Sequence, residues 1–554
     1  MAGGQPLIPA PVRAARLRPL RLGLGLGGLL LGLAGLCIGV LFWQGSHAAG
    51  SLAGLGARLE AGMFGPEARY ALRSALLQAS LSTLFSVSLG LWLARALVRR
   101  GAFWGRGLLV SLSWLAMVVP TSVAALAILS VWGPAGSARA LAGAIGLPLP
   151  FGQFGLGMVI LAHCFFNVPL AMRLGLSALS SLPDRQWQLA ANLGLRARDI
   201  FFQMEWPVLR LAAIASASLI FLLCFTSFAL VLMLGGGPRV TTLEVAIYTA
   251  LRFDFDLSLA AGLGLLQLLV CGGLLLLLWY QRAPLLNQGA AGLPGWPRRD
   301  RAAWLARFGD WLAVGLLGLL VVMPFLSLLA GQDWQAGAKL FTRPIFWQAL
   351  LDTALVCLPS AVIALGLGLV FATALVRARQ TGQLLAGQFI AFSISASLML
   401  PALVLGTALF ILLYQLVPPA RLAWGLVLLA NILLSLPFVM RLLEPRLAWL
   451  LPAQDRLADH LGLSGWRRLR VTLPALGEEL QTGFALAAAL SLGDLGVIAL
   501  FGSADFQTLP WLLYQYQNRY GGAEAEMLAL VMLGLVLLLF FAASRLTRPA
   551  RGER

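Results

Sequence analysis

Twelve apolar runs, each close to the length that crosses a lipid bilayer, constrain this chain more than any other feature. They fall near residues 22–43, 71–97, 108–132, 154–176, 208–234 and 258–280, then near 311–330, 348–376, 386–415, 422–443, 478–501 and 525–546. A helix needs about 20 apolar residues to span the hydrocarbon core. Backbone polar groups have no water to bond with there, so the runs are expected as helices. Of the 554 residues, 60% are hydrophobic and 11% charged, and the mean hydropathy is +0.86. A soluble globule of that composition has too little polar surface to cover itself.

The net charge of +18 invites a nucleic-acid reading, which the distribution of charge argues against. The arginines cluster in short loops beside apolar runs, as the positive-inside rule expects. Arg13, Arg16, Arg18 and Arg21 precede the first run, and Arg545, Arg548, Arg551 and Arg554 follow the last. Both termini are therefore expected in the cytoplasm. Arg99, Arg100 and Arg106, and then Arg185, Arg196 and Arg198, mark two further cytoplasmic loops. Glu60, Glu67, Glu244, Asp254 and Asp256 fall in the opposite loops. A cleaved signal peptide ending near Ser46-His-Ala48 competes with a retained first span. The run is longer than the ~7–15 residues of a signal core, which favours retention.

The chain repeats its plan. Ala96-Leu-Val-Arg99 echoes Ala374-Leu-Val-Arg377, and Pro120 echoes Pro401. Six spans per half is an even number, so the halves insert in the same orientation, as a parallel repeat. The expected division is a first half over 1–280, a cytoplasmic linker over 281–309 and a second half over 310–554.

Within each half a polar loop carries a matching motif. The first reads Gln188-Leu-Ala-Ala-Asn-Leu-Gly194 and continues to Glu205-Trp-Pro207. The second reads Arg456-Leu-Ala-Asp-His-Leu-Gly462 and continues to Val471-Thr-Leu-Pro474. Each follows a Pro-x-x-Met-Arg-Leu step, and 25 residues separate proline from glycine in both copies, 169 to 194 and 437 to 462. Leu189, Ala190 and Ala191 are good helix formers, and Gly194 suits the left-handed stop of a helix. A short cytoplasmic helix, a turn and a second short helix reaching Pro207 follow from this, with Pro207 opening the fifth span, where its missing N–H costs nothing. Leu457 and Ala458 repeat the pattern, with Gly462 and Pro474 as stop and restart. Small residues on a helix face let it fit a groove on a partner. Two such helices, at about 184–207 and 454–474, make two matching docking points.

No catalytic constellation and no resident cofactor are expected. Lys339 is the only lysine and has no phosphate-loop glycines around it, so ATP chemistry belongs to another polypeptide. His47, His163 and His460 lack metal-ligand spacing, and the five cysteines all lie inside apolar runs. Gly23-x-Gly-x-Gly27 lies in a membrane run, where glycines allow close helix packing.

The paired motifs resemble the coupling loops of binding-protein-dependent ABC-importer permeases: Glu-Ala-Ala, three residues, glycine, nine residues, then Ile-x-Leu-Pro. Here Gln188 and Arg456 stand in the acidic position, Leu189 and Leu457 replace the first alanine, and the second copy is one residue short before Pro474. Fused double permeases of this kind resemble iron(III) and thiamine importers. Leu223-Cys-Phe-Thr-Ser-Phe228, Leu234-Gly-Gly-Gly-Pro238, Thr241-Thr-Leu-Glu-Val-Ala-Ile-Tyr248 and Ser491-Leu-Gly-Asp-Leu-Gly-Val497 look like the thiamine and thiamine pyrophosphate permeases. The resemblance implies an all-α, polytopic protein of about twelve transmembrane helices in two parallel six-helix halves, the type I ABC importer permease fold, in a bacterial inner membrane. It implies two copies of a separate ATPase that carries ATP and Mg, and a periplasmic binding protein. Thiamine and its phosphates are the favoured cargo, and iron(III) is the alternative. An ion-coupled secondary transporter would need no pair of docking loops.

Ionisable groups inside apolar spans usually face a cavity or a partner. Asp494 lies in the eleventh span, with Thr226 and Ser227 at roughly the corresponding place in the fifth. One reading has these three line the translocation path, with Asp494 meeting a cationic thiazolium. The other has Asp494 cap or cross-link helices.

Overall fold

In the computed structural model the described residues are 10–47, 62–144, 146, 152, 154–280, 304–331, 333–397, 400–413, 419–461, 463, 465–503, 505–519 and 522–546. Most of the 281–309 linker, Gly462 and the last arginines of the tail lie outside them. The described residues are almost wholly helical. Eleven helices are long and apolar enough to cross a membrane, or twelve if one bent pair is a single span.

The first helix, α1 (Ala10–His47), precedes α2 (Pro66–Arg100). Next come α3 (Arg106–Ala116), α4 (Thr121–Trp132) and α5 (Ser137–Ala144). The single span expected over 108–132 is thus broken. Pro120 caps α4 from an extended conformation, with φ −50° and ψ 135°, because proline disfavours helix at the residue before it. Then follow α6 (Leu156–Ser180), α7 (Asp184–Asn192) and α8 (Ala197–Ile200). A π-turn over Phe201–Glu205 joins α8 to α9 (Trp206–Phe225). The rest of this stretch is α10 (Ala229–Leu234), α11 (Leu243–Arg252) and α12 (Leu257–Tyr280).

Beyond the linker lie α13 (Trp304–Leu317), a π-turn over Gly318–Val322, α14 (Met323–Ala330) and α15 (Trp334–Ala338). The long helix α16 (Pro344–Gln380) leads to α17 (Leu384–Ser397) and α18 (Ala402–Leu413), which meet at a bend of 85° beside Pro401. Then come α19 (Pro419–His460), α20 (Gly465–Ala475), α21 (Gly477–Leu492), α22 (Gly496–Phe501), α23 (Leu509–Arg519) and α24 (Gly522–Leu546).

These helices sort into two compact units that interleave along the chain. One is built from residues 51–344 and 512–531, the other from 1–50, 345–511 and 532–554. Helix α1 therefore packs with the second half of the sequence, against α17 and α18, while α13 packs on α2 and α14 on α4 in the first. Neither exchange leaves a signal in hydropathy.

Both units contain a close helix crossing through a glycine at matching places. In one, α2 packs on α6, and Gly90 leaves no room for a side chain, since an added Cβ would lie 2.8 Å from the Met172 nitrogen and the Val168 oxygen. In the other, Gly368 of α16 meets α19 the same way, 2.7 Å from Val439 Cγ1 and 3.5 Å from the Met440 nitrogen. Close backbone approach through a small residue is the usual basis of helix packing in membranes.

Candidate functional site

The first motif loop begins where α6 ends. Pro183, extended at φ −67° and ψ 146°, starts α7, and Asp184 in its first turn complements the helix dipole. Trp187 and Ala190 are buried, while Leu189 is 59% and Leu193 66% exposed. Gln188 and Ala191 are half-buried between these faces. Gly194 adopts φ 65°, and the Leu195 N–H bonds back to the Ala190 oxygen at 3.1 Å. That bond and the left-handed glycine form a Schellman-type stop.

The chain returns through α8 and the π-turn. Pro207 stands in the first turn of α9, as expected, although the continuous helical run starts earlier. The run already begins at Ala197 and passes through the π-turn, where the Trp206 N–H reaches the Phe201 oxygen. The wider turn accommodates a proline that would otherwise clash with the preceding turn. Met323 N–H to the Gly318 oxygen, just before Pro324, repeats the device. Glu205, fully buried, accepts a 2.5 Å bond from Arg95 Nε, whose guanidinium also lies 4.6 Å from the Phe201 ring centroid. This tie pins the return segment to α2. Glu205 belongs to the first motif, but its partner is 110 residues away and leaves no local signal in the sequence.

The second loop is built differently. The stretch over 454–460 is not a separate short helix, because α19 runs without a break to His460 through Pro437, Pro445 and Pro452. Each proline removes one hydrogen bond, but packing on α21 keeps the helix continuous. Nor does Pro474 restart a span, since it lies inside the last turn of α20 and is exposed. The end of α19 nevertheless matches α7. Ala458 is buried, Leu457 is 56% and Leu461 62% exposed, and the Leu463 N–H bonds to the Ala458 oxygen at 2.8 Å. Arg456 lies within this helical end.

One arginine position of the repeat is used in two ways. Arg99 and Arg100, expected as loop charges, are buried in the last turn of α2. They share the buried carboxylate of Asp310 on α13, at 3.0 and 2.6 Å. Arg377, the sequence echo of Arg99, instead grips Asp455 in the motif end of α19. Its Nη2 lies 2.8 Å from Oδ1, and Arg468 of α20 pairs with the same carboxylate. In both clusters one carboxylate accepts charge-assisted bonds from two guanidiniums.

The substrate-path candidates fall at helix breaks. Thr226 and Ser227 lie together between α9 and α10, both half-buried, and the Thr226 hydroxyl donates to the Leu222 oxygen at 3.0 Å. Asp494 lies in the corresponding break between α21 and α22 of the other unit. Its Oδ1 accepts the Gly496 N–H at 3.0 Å, capping α22. Its Oδ2 is buried and meets no hydrogen-bond partner among the described residues. The bond to Gly496 uses one carboxylate oxygen and leaves the second out of it.

The described residues thus form a polytopic helical protein in which two motif ends expose matching pairs of leucines. Residues 86–283 match the family described as binding-protein-dependent transport system inner membrane component. The chain is 39% identical over 489 residues to the thiamine transport system permease protein ThiP of Escherichia coli (strain K12), covering 88% of this chain and 90% of that one. It is 37% identical to ThiP of Brucella abortus (strain 2308), over 85% and 87%. It is 36% identical to ThiP of Haemophilus influenzae, over 84% and 86%. The chain belongs to the binding-protein-dependent transport permease family, as a fused double permease of the inner membrane.

Proposed function

We propose that this chain is the permease subunit of an ATP-driven importer for thiamine and its phosphates. The observation that carries this is likeness to thiamine permeases along both halves, joined to two helix ends presenting the same pair of leucines. In this reading Leu189 and Leu193, with Leu457 and Leu461, seat in grooves of two copies of a separate ATPase on the cytoplasmic face. Gln188, Ala191 and Arg456 flank those contacts, while Ala190 and Ala458 pack each helix on its own unit. Gly194 sets the stop of the first helix end, and Pro207 and Pro474 belong to the return segments. ATP and Mg are bound by the ATPase, and a periplasmic binding protein delivers the cargo. Both termini lie in the cytoplasm. ATP-driven movement of the helix ends shifts the permease between inward- and outward-facing states, through differential contacts in each.

The test is reconstitution in liposomes with the ATPase and the binding protein. Thiamine or thiamine pyrophosphate is expected to stimulate ATP hydrolysis and uptake. Stimulation by iron(III) alone would keep the architecture and overturn the cargo.

Asp494, Thr226 and Ser227 line the path in this proposal, with the second Asp494 oxygen offered to the thiazolium cation. Asp494→Asn keeps an N-cap acceptor of equal rank and removes the charge. It is expected to lower thiamine uptake about tenfold or more, the scale of a hydrogen bond to a charged group, with the amount of assembled complex unchanged. An equal loss of folded protein would assign Asp494 to the cap alone.

A further inference from the structure

The segment returning from the first motif loop borders a groove that the transport cycle described above does not use. It lies between the end of α2, α8 with its π-turn, and the start of α13, and is an open depression of about 390 Å³. Its walls are apolar, formed by Trp92, Phe201, Phe202 and Leu305, and its charged groups are Arg95, Arg99, Arg198 and Asp310. Asp310 is already shared by Arg99 and Arg100, and Arg95 is bound to Glu205. The groove's further positive charge is that of Arg198. Arg198 is exposed, lies 5.8 Å from the Phe202 ring centroid, and meets no carboxylate among the described residues. Leu305 of the lining, and Trp304 and Phe308 on the same helix α13, are all more than 60% exposed. Large apolar and aromatic side chains bared beside arginines are the mark of a membrane interface.

We infer that this groove binds an anionic phospholipid, its phosphate at Arg198 and its acyl chain along Trp92 and Leu305. A free phosphate would satisfy the charge and leave the apolar walls bare. A zwitterionic lipid would cover the walls but bring no net charge to the excess guanidinium. The bound lipid bridges α13 to the return segment of the first motif loop, so it stiffens the helix end on which the ATPase docks. Placing the groove at the cytoplasmic leaflet rests on the orientation proposed above, and that leaflet carries the anionic lipid.

The test is native mass spectrometry of the detergent-purified permease–ATPase complex, titrated with phosphatidylglycerol or phosphatidylcholine, with inorganic phosphate as competitor. The wild type is expected to retain phosphatidylglycerol selectively and to keep it in phosphate. Arg198→Gln is expected to bind it about fivefold more weakly, the factor for one arginine at an anionic surface. Leu305→Ser weakens retention without changing the preference for anionic lipid. Arg307→Gln, an exposed arginine of the same helix that does not line the groove, keeps wild-type occupancy. In nanodiscs, ATP hydrolysis rises with phosphatidylglycerol content in the wild type and stays flat in Arg198→Gln. Equal retention of both lipids, displacement by phosphate, or unchanged occupancy in Arg198→Gln would overturn the inference. So would loss of the ATPase from Arg198→Gln with lipid binding intact, which would make the groove an ATPase contact. The lipid readout needs no transported cargo, so failure of the thiamine reading leaves it standing.

Discussion

Leu189→Asp combined with Leu457→Asp is expected to abolish capture of the ATPase while leaving the permease folded. Both leucines are more than half exposed, so neither change opens a cavity or strands a buried charge in the isolated chain. Burying a leucine at a docked surface is worth about 1.5–3 kcal/mol. Losing two, before the cost of desolvating the new carboxylates, weakens a two-site complex by at least about 100-fold on the scale of 1.4 kcal/mol per tenfold. Each single variant loses one contact and should keep partial capture, since the other helix end still docks. Co-purification of the ATPase from detergent and the ATPase rate in liposomes read the effect, with size-exclusion profiles as the control for folding. Full capture by the double variant would show that these helix ends are not the docking points.

How much of this was legible beforehand depends on whether the cause was local. The spans were legible because hydropathy acts on each run by itself. The matched helix ends were legible because Leu189 and Leu457 hold the same place in two copies, as do Pro120 and Pro401. The breaks in the fifth and eleventh spans were less so. Thr226, Ser227 and Asp494 stood out as polar residues in apolar runs, yet the end of the helix at each was not expected. Nor was the continuity of α19 through three prolines, where packing overrides a local rule. The exchange of α1 and α13 between units has no local cause at all. The ion pairs were hidden for the same reason. Arg99 and Arg377 occupy one position of the repeat, but the first meets Asp310, 211 residues away, and the second meets Asp455 in its own motif end. A repeat in sequence indicates which arginine recurs, and only the assembled fold selects its carboxylate.

That difference makes Asp455 the residue whose loss should cost the second unit most. Its carboxylate joins α16, the motif end of α19 and α20 through Arg377 and Arg468. Asp455→Ala leaves Arg377 buried without an anion, and removing one partner of a buried pair costs about 3–5 kcal/mol. The expected result is a sharp fall in the yield of folded permease and in its thermal midpoint in detergent, read by fluorescence-detected size exclusion. Asp455→Asn keeps the shape and one acceptor, so it should fall between wild type and Asp455→Ala. Replacing both partners, Arg377→Met with Asp455→Leu, removes the stranded charge and is expected to recover most of the stability, because apolar substitutes for a buried pair are often neutral or better. The recovered variant then separates two roles of the ion pair. Folded protein with poor ATP-coupled uptake would mean that the charges position the motif end as well as stabilise it, whereas full uptake would mean that they serve packing alone.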